Sequence, residues 1–495
     1  MKLEEVIEGI PVKAVAGSLD VEVSGVFHDS REVRDAGLFC ALEGLGVDGH
    51  DFIGSAVERG AVAVLSERPN PAEFPVAWIQ ARNARAAMGL AAANLAGHPS
   101  REFSVVGVTG TNGKTTTAYL VHYLLEAILH RAGLIGTIQY SNGDAIVEAP
   151  HTTPESTDVH RLLREMRDHD CRGVAMEVSS HGLAQHRVAG VSFDVGIFTN
   201  LTQDHLDYHR TMEGYFAAKR LLFEQMAADS EKEGVMVVNA DDTWGERLLK
   251  EDLPGVKALS YGRSVGSDFR VLDLRSDFNG TKFTLAFRER KFLVQIPLIG
   301  VFNVYNAVAA MAAAYAVGLN LREVVGKMAG APQVPGRLEL VGQRQVNYRV
   351  FVDYAHTPDA LTNVLRTLND LQPERVITVF GCGGDRDATK RAPMARAAEE
   401  GSSFCILTSD NPRTEDPRGI LEDAEKGLLG GDYEAVEDRA EAIGRAIGMA
   451  GERDIVLIAG KGHEPYQEIN GVRHDFDDRK VAARFINEKA EGGSR

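Results

Sequence analysis

The most chemically pointed stretch of this 495-residue chain is Gly110-Thr111-Asn112-Gly113-Lys114-Thr115-Thr116. Glycines free the backbone to turn its N–H groups inward, a lysine supplies a mobile cation, and a threonine hydroxyl can ligate a hard divalent ion. That combination suits the phosphates of a nucleoside triphosphate, with the lysine on the β- and γ-phosphates and the hydroxyl on Mg²⁺. The spacing departs from the standard GxxxxGKS/T pattern, because Val108 stands where the first glycine belongs. A plain glycine-rich turn would explain the glycines but not Lys114 and the threonine run.

Other stretches place reactive side chains in suggestive positions. In MEGYFAAKRLLFEQM, a helical path sets Lys219 among Tyr215, Phe216, Leu222 and Phe223, on the apolar stripe. Such a lysine either snorkels its ammonium to the edge or sits as a free amine of lowered pKa, able to react with CO₂. Just upstream, TNLTQDHLDYH gathers Asp204, His205, Asp207 and His209, a set that can bind a metal or cap the next helix. Late in the chain, GGDRD, SDNPR and GKGHE each follow an apolar run. Ligands of open parallel sheets bind beyond the carboxyl ends of the strands, so Arg386, Asp410, Asn411, Arg413, Gly460 and Glu464 can converge on one crevice. Two guanidiniums beside acidic oxygens and an amide suit a zwitterion, and Asn411-Pro412 supplies a rigid turn that aims Arg413. A surface ion-pair network is the alternative.

Positioning these groups requires repeated strand–loop–helix units. Residues 1–98 mix short strand-like runs (VEVSGVFHDS, GLFCALEG, AVAVLS, VAWIQ) with Ala-rich helical stretches, ending at the turn signal Gly97-His98-Pro99-Ser100. Over 99–333 the pattern restarts, with GVAMEV, DVGIFTN and GVMVVNA between helix-like segments. Pro332 and Pro335 are expected to break an Ala-rich helix at its end. Residues 334–495 repeat strand, loop, helix. The alternation predicts an α/β protein of mostly parallel sheets with helices on both faces, and the length calls for several domains.

Composition narrows the partners. Acidic residues outnumber basic ones by 71 to 54, a net charge of −17, which excludes a nucleic-acid or anionic-membrane surface and requires any anionic ligand to be held locally. Cys40, Cys171, Cys382 and Cys405 form no CxxC pair, which suits a reducing cytosol and offers no zinc signature. The N-terminus lacks a basic segment followed by an apolar run, and no apolar run approaches the roughly 18 residues of a membrane span. A cytoplasmic protein is expected.

GTNGKTT (110–116), MEVSSHGLAQHRV (176–188), TNLTQDHLDYH (199–209), YFAAKRLLF (215–223) and GVFNVYNAVAA (300–310) form one series of motifs. PGRLE (335–339), DYAHTPD (353–359), GCGGDRD (381–387), DNPR (410–413), GKGHE (460–464) and the early SGVFHDSREV (24–33) complete it. Together they resemble the Mur ligases over essentially the whole chain. The resemblance implies three domains: uridine-nucleotide-binding (1–98), a central P-loop ATPase (99–333) and a Rossmann-like, amino-acid-binding domain (334–495). It also implies that ATP, with Mg²⁺, phosphorylates the D-Glu γ-carboxylate of UDP-N-acetylmuramoyl-L-alanyl-D-glutamate (UDP-MurNAc-L-Ala-D-Glu). The amine of meso-diaminopimelate then attacks the acyl phosphate. A lysine-adding ligase of the same family and a catalytically silent nucleotide-binding regulator are the alternatives. The partners are expected to be small molecules, without nucleic acid or membrane, and the chain a monomer.

Site roles follow from the same resemblance. Lys114 neutralises the terminal phosphates, and Gly110, Thr111, Asn112, Gly113 and Thr116 cradle the nucleotide. Thr115, Glu177 and His205 are metal ligands, and Lys219, as a carbamate, helps hold a magnesium ion. Asn303 and Arg337 lie near ATP, and Asp353 and His356 lie where the C-terminal domain closes over the nucleotide. His28, Ser30, Leu45, Gly46 and Val47 hold the uridine nucleotide. Thr152, Thr153, Ser179, Gln185 and Arg187 surround the muramoyl-dipeptide, joined by His151, where the family's pattern often has Asn. Arg386, Asp410, Asn411, Pro412, Arg413, Gly460 and Glu464 bind the amino acid. Arg413 pairs there with the distal carboxylate that lysine lacks.

Overall fold

In the computed structural model, which describes residues 1–44, 46–71, 74–342 and 346–492, the apolar runs become strands of three mostly parallel sheets. The α/β expectation is met. Two compact units divide the chain: residues 1–273 with 283–294 and 305–329, and residues 274–282 with 295–304 and the part from 330 onward.

The first unit contains a five-stranded sheet in the order Val12–Ala16, Ala77–Ala81, Ala61–Ser66, Gly37–Cys40, Gly25–Phe27, antiparallel only at its first pair. Successive side chains point to opposite faces. Leu38, Leu65 and Ile79 therefore pack with Met88 and Ala91 of the helix Ala84–Ala96, while Phe39, Val64 and Trp78 build a separate cluster. Asn83 caps that helix by accepting from the Ala86 N–H, and Gly97 ends it at a φ of 75°.

The same unit holds six parallel strands in the order Val256–Gly262, Gly234–Asn239, Val195–Phe198, Ser104–Thr109, Gly173–Glu177, Ala132–Ile135. Ser104–Thr109 is central, and its Val105, Val106 and Val108 are fully buried, as expected of a strand covered on both faces. Strand–helix alternation does not anticipate the extensions of this sheet. Phe269–Asp277, Gly280–Phe287 and Arg290–Ile296 follow one edge, and Gln139–Ser141 with Ile146–Glu148 run antiparallel at the other.

One boundary differs from expectation. The Ala-rich helix Val301–Ala316 stops well before Pro332, at Gly318 with a φ of 93°, and Asn320 then caps a second helix, Leu321–Lys327. A left-handed glycine and an Asx cap thus provide the stop and start before either proline acts.

The second unit carries a six-stranded sheet in the order Glu339–Val341, Arg349–Asp353, Ile455–Ala459, Val376–Cys382, Phe404–Ser409, Tyr433–Ala435. Only the first pair is antiparallel. Phe351, Leu457, Phe380 and Leu407 pack against Leu361, Leu365 and Met394 on one face; Val350, Ile458, Val379 and Ile406 pack against Ile443, Ile447 and Ile486 on the other.

Arg439 and Asp478 open the two helices of that second face, Arg439–Met449 and Asp478–Gly492, and their side chains are completely buried. The guanidinium donates to both carboxylate oxygens, each at 2.8 Å, and to the Ala459 carbonyl at 3.0 Å. The pair therefore ties two helix starts to the end of a strand. Asp478→Asn should strand the buried guanidinium and cost about 3–5 kcal/mol. Equilibrium urea unfolding measures this, and a loss below about 1 kcal/mol would show that the pair does not hold the unit together.

Candidate active site

Parallel register sets the geometry of the first site. Val108 stands beside Glu177 and Thr109 beside Phe198, so three neighbouring strands end at one level and release their loops on one side. The central loop bends through Gly110 at a φ of 146° and Gly113 at 87°. A Cβ at Gly110 would collide with the Thr199 hydroxyl, and one at Gly113 with the Asn306 side chain. The neighbouring strand's loop clamps it: Thr111 N–H donates to the Asn200 carbonyl at 2.8 Å, Asn112 N–H to Asn200 Oδ1 at 3.0 Å, and the Thr199 hydroxyl to the Asn112 carbonyl at 2.7 Å. Thr199, Asn200 and Asn306 escape a reading of residue types. Their only signals are the polar TN after DVGIF and the second asparagine of NVYNA.

Two amines meet on this loop. Lys114 Nζ donates to the Gly110 and Thr111 carbonyls, each at 3.0 Å, and Lys219 Nζ donates to the same Gly110 carbonyl at 2.7 Å. Lys219 is 1% exposed and lies 4.4 Å from the centre of the Tyr215 ring, so it does not snorkel. Burial, reinforced by the Lys114 cation, pushes its pKa well below the ordinary lysine value. Beside them, the Thr115 hydroxyl donates to Glu177 Oε2 at 3.0 Å, and Thr137 donates its N–H to Oε1 at 2.7 Å and its hydroxyl to Oε2 at 3.1 Å. A fully buried carboxylate next to a hydroxyl offers the hard oxygens that Mg²⁺ prefers. His205 has a left-handed φ of 52°, lies 3.6 Å from Asp204 and meets the His181 ring edge-on at 4.8 Å. Nearby, burial, reinforced by the neighbouring His181, Lys219 and His205, pushes His209 down to about 4, with its Nε2 2.9 Å from the Ser180 hydroxyl. Among the described residues no three His, Cys, Asp or Glu side chains form a self-sufficient metal site.

The expected dipeptide residues gather around Glu177. Thr153 donates its hydroxyl to the Glu177 carbonyl at 2.9 Å and accepts the Ser179 N–H at 3.0 Å; Thr152 reaches Glu177 through the Thr137 hydroxyl. Arg187 donates to the Thr153 carbonyl and to Gln185 Oε1, each at 2.9 Å, and pairs with Glu155 at 3.0 Å. His151 contributes its carbonyl, which accepts from the Tyr140 hydroxyl. Ser30 is buried, His28 Nδ1 approaches the Thr157 hydroxyl at 3.5 Å, and Gly46 and Val47 are exposed. Leu45 lies outside the described residues.

In the second unit, some expected nucleotide contacts are otherwise engaged. Asp353 accepts the Leu338 N–H at 2.6 Å and the Ala355 N–H at 2.8 Å, one on each carboxylate oxygen, and so braces the PGRLE turn. Asn303 donates to the Ile299 carbonyl at 2.9 Å. Arg337 covers the Tyr354 ring at 4.6 Å, and His356 Nδ1 lies 2.8 Å from the Tyr354 carbonyl.

The three late loops do converge. Gly384 N–H donates to the Asn411 carbonyl at 2.9 Å, and Arg413 Nη1 donates to the Gly384 carbonyl at 2.7 Å. Arg413 holds a φ of 54°, and its Nε stands 3.7 Å from Glu468 Oε2. Asn411 Nδ2 donates to Glu464 Oε2 at 2.9 Å. Pro412 is buried, and a Cβ on Gly460 would come within 2.6 Å of Asp410 Oδ2. Arg386 is exposed and has no side-chain hydrogen bond to this set among the described residues. Lys461 and Glu468, which touch the set, were not singled out by residue type.

Comparison with known proteins places these sites in a family. Residues 22–99 match "Mur ligase family, catalytic domain", residues 108–314 "Mur ligase middle domain" and residues 336–462 "Mur ligase, glutamate ligase domain". UDP-N-acetylmuramoyl-L-alanyl-D-glutamate–2,6-diaminopimelate ligase of Geobacter metallireducens is 45% identical over 99% of this chain and 100% of its own length. A solved structure of a ligase of that name is 35% identical, with a TM-score of 0.72 and 99% of both chains covered. The MurF ligase of Thermotoga maritima in complex with ADP, at 19% identity, shares the fold with a TM-score of 0.63 over 95% of this chain and 99% of its own.

Gly113→Ala should force a side chain into the left-handed region and against Asn306. The expected result is a loss of about 1–3 kcal/mol in stability and a marked fall in ATP affinity. Thermal unfolding and nucleotide titration read both, and unchanged values would mean that the loop has room to relax.

Proposed function

This chain belongs to the Mur ligase family, and we propose that it joins meso-diaminopimelate to the D-Glu γ-carboxylate of UDP-MurNAc-L-Ala-D-Glu at the expense of ATP, a step of peptidoglycan precursor synthesis. Residues 1–98 take the uridine nucleotide through His28 and Ser30, residues 99–333 the ATP and dipeptide, and residues 334–495 the amino acid. No helix among the described residues is long and apolar enough to cross a membrane. The reading is of a cytoplasmic monomer acting on small molecules.

A carboxylate is a poor electrophile until one of its oxygens can leave as phosphate. In the first step the γ-carboxylate oxygen attacks the γ-phosphorus and ADP departs. In the second the amine attacks the acyl carbon, phosphate leaves and the nitrogen loses a proton. Phosphoryl transfer of this kind depends on positioning and charge neutralisation. Lys114, now folded onto the loop carbonyls, would turn to the phosphates. Thr115, Glu177, His205 and carbamylated Lys219 would hold Mg²⁺, which when bound neutralises developing charge on the transferred group. Arg187, with Thr152, Thr153, Ser179 and Gln185, would hold the dipeptide, and Arg413, Asn411 and Glu464 the zwitterionic end of diaminopimelate.

The observation that carries the reading is the convergence of Lys114 and Lys219 on the Gly110 carbonyl beside the Thr115–Glu177 pair. A buried amine of lowered pKa is uncharged enough to take up CO₂, and the carbamate so formed replaces a poorly placed cation by an anion beside the metal oxygens. The test is phosphate release with the UDP-dipeptide and a panel of amino acids. Release that requires diaminopimelate is expected; release without any amino acid, or none at all, overturns the proposal.

Lys219→Ala should lower turnover by about 10²-fold or more, with partial recovery in acetate, since a diffusible carboxylate can replace the carbamate. ¹³C-bicarbonate should give the unsubstituted protein a carbamate resonance that the variant lacks. Full activity of the variant, or no such resonance, would refute the role.

Arg413→Ala should raise the KM for diaminopimelate roughly 30-fold or more and leave the KM for ATP nearly unchanged, because a charge-assisted pair is lost at one substrate only. The kcat/KM preference for diaminopimelate over lysine should collapse with it. An unchanged preference would reduce DNPR to a turn.

A further inference from the structure

Lys461 is fully buried in the second unit, yet none of the roles assigned above uses it. Glycines on both sides turn it inward. Gly460 has a φ of 118° and Gly462 of 55°, and a Cβ on the first would press on Asp410, on the second on Tyr354. The side chain therefore runs beneath the late loops. Its Nζ donates to Asn411 Oδ1 at 3.0 Å and to Glu464 Oε2 at 3.3 Å, and lies 5.4 Å from the centre of the Tyr466 ring.

Those two bonds settle how the neighbouring groups are used. Asn411 Oδ1 accepts from Lys461 and from the Glu468 N–H at 2.9 Å, which leaves Nδ2 to donate to Glu464 Oε2 at 2.9 Å. Oε2 of Glu464 thus receives two donors. Oε1 receives none among the described residues, and the Glu464 side chain is 18% exposed. A buried ammonium also needs an anionic partner, and Glu464 is the carboxylate paired with it.

We infer that Lys461 is a positioning residue for amino-acid binding: directly and through Asn411 it pins one oxygen of Glu464 and presents the other, Oε1, to the ammonium of the incoming amino acid. The inference rests on the reading that these loops bind that substrate. It assigns the lysine of GKGHE a task distinct from that of Glu464, since Lys461 itself does not touch the substrate.

Steady-state kinetics of the full-length enzyme with diaminopimelate, ATP and the UDP-dipeptide test it, using Lys461→Met, Lys461→Arg, Glu464→Gln and the double variant Lys461→Met/Glu464→Gln. Lys461→Met should raise the KM for diaminopimelate about tenfold or more while the KM values for ATP and the UDP-dipeptide stay put, and Lys461→Arg should lie between it and the unsubstituted enzyme. If Lys461 acts through Glu464, the double variant should be no worse than Glu464→Gln alone. Effects that multiply in the double variant, an unchanged diaminopimelate KM, or a parallel rise in all three KM values would overturn the inference. Should Lys461→Met fail to fold, Lys461→Arg decides: a raised diaminopimelate KM at constant ATP KM supports it, and an unchanged one overturns it. Glu464→Gln with an unchanged diaminopimelate KM would instead overturn the underlying assignment of the loops.

Discussion

Three parallel strands that end at the same level are the constraint on which the first site depends. Val108 beside Glu177 and Thr109 beside Phe198 leave the loops after them no freedom to separate. The glycine loop, the carboxylate at 177 and the segment from Thr199 are neighbours before any side chain is placed. The glycines at 110 and 113 then let backbone come close to Thr199 and Asn306, where a Cβ could not fit. Hydroxyl and amide contacts from residues 199–202 finish the loop's shape. The second unit repeats the device, with Cys382 beside Ser409 and Asp353 beside Ala459 in register.

Three buried cations show how differently the fold answers the same electrostatic problem. Arg439 receives a fully buried carboxylate in a two-point pair, so its charge is matched and its role is structural. Lys461 receives an amide oxygen and a carboxylate that still reaches solvent, an arrangement that orients a group facing outward. Lys219 receives a carbonyl and the face of a tyrosine, with a second amine on the same carbonyl and no hydrogen-bonded carboxylate among the described residues. Of the three it is the one whose charged form is poorly supported, and the one where the surroundings favour chemistry on the neutral nitrogen.

Local pattern made the α/β class, the phosphate loop and the three late loops legible, because periodicity, glycines and charged turn residues are written in short windows. The apolar stripe around Lys219 was legible too; the stripe alone leaves two readings open, and the burial of the ammonium against the Gly110 carbonyl removes the snorkelling one. What stayed hidden needs partners far apart in the chain. Asn306 meets the loop at Gly113, nearly two hundred residues earlier, and Arg439 meets Asp478 across two helices. The part of Asp353 in bracing the PGRLE turn was also hidden, because the two backbone N–H groups that its carboxylate accepts lie on either side of it in the chain. The stop at Gly318 was missed since two prolines downstream gave a louder signal for the same helix.

A chain of net charge −17 has to hold anionic substrates. At physiological salt the field of distant carboxylates fades over about 8 Å, so the overall charge weakens attraction at long range but says little about the pocket. In the proposed function the balance inside would be set by groups within hydrogen-bonding reach: N–H groups of a glycine loop, the Lys114 ammonium, and Arg187 tied to Thr153 and Gln185. The two side chains each have partners in the fold, and a substrate oxygen would replace one of them. In the proposed function Lys114 would give up two carbonyls and Arg413 its contact with Glu468, so binding at these two side chains would be an exchange of acceptors. An exchange of this kind favours the ligand whose oxygens match the donors in number and direction. A phosphate or carboxylate at the right place therefore outcompetes the same charge held elsewhere.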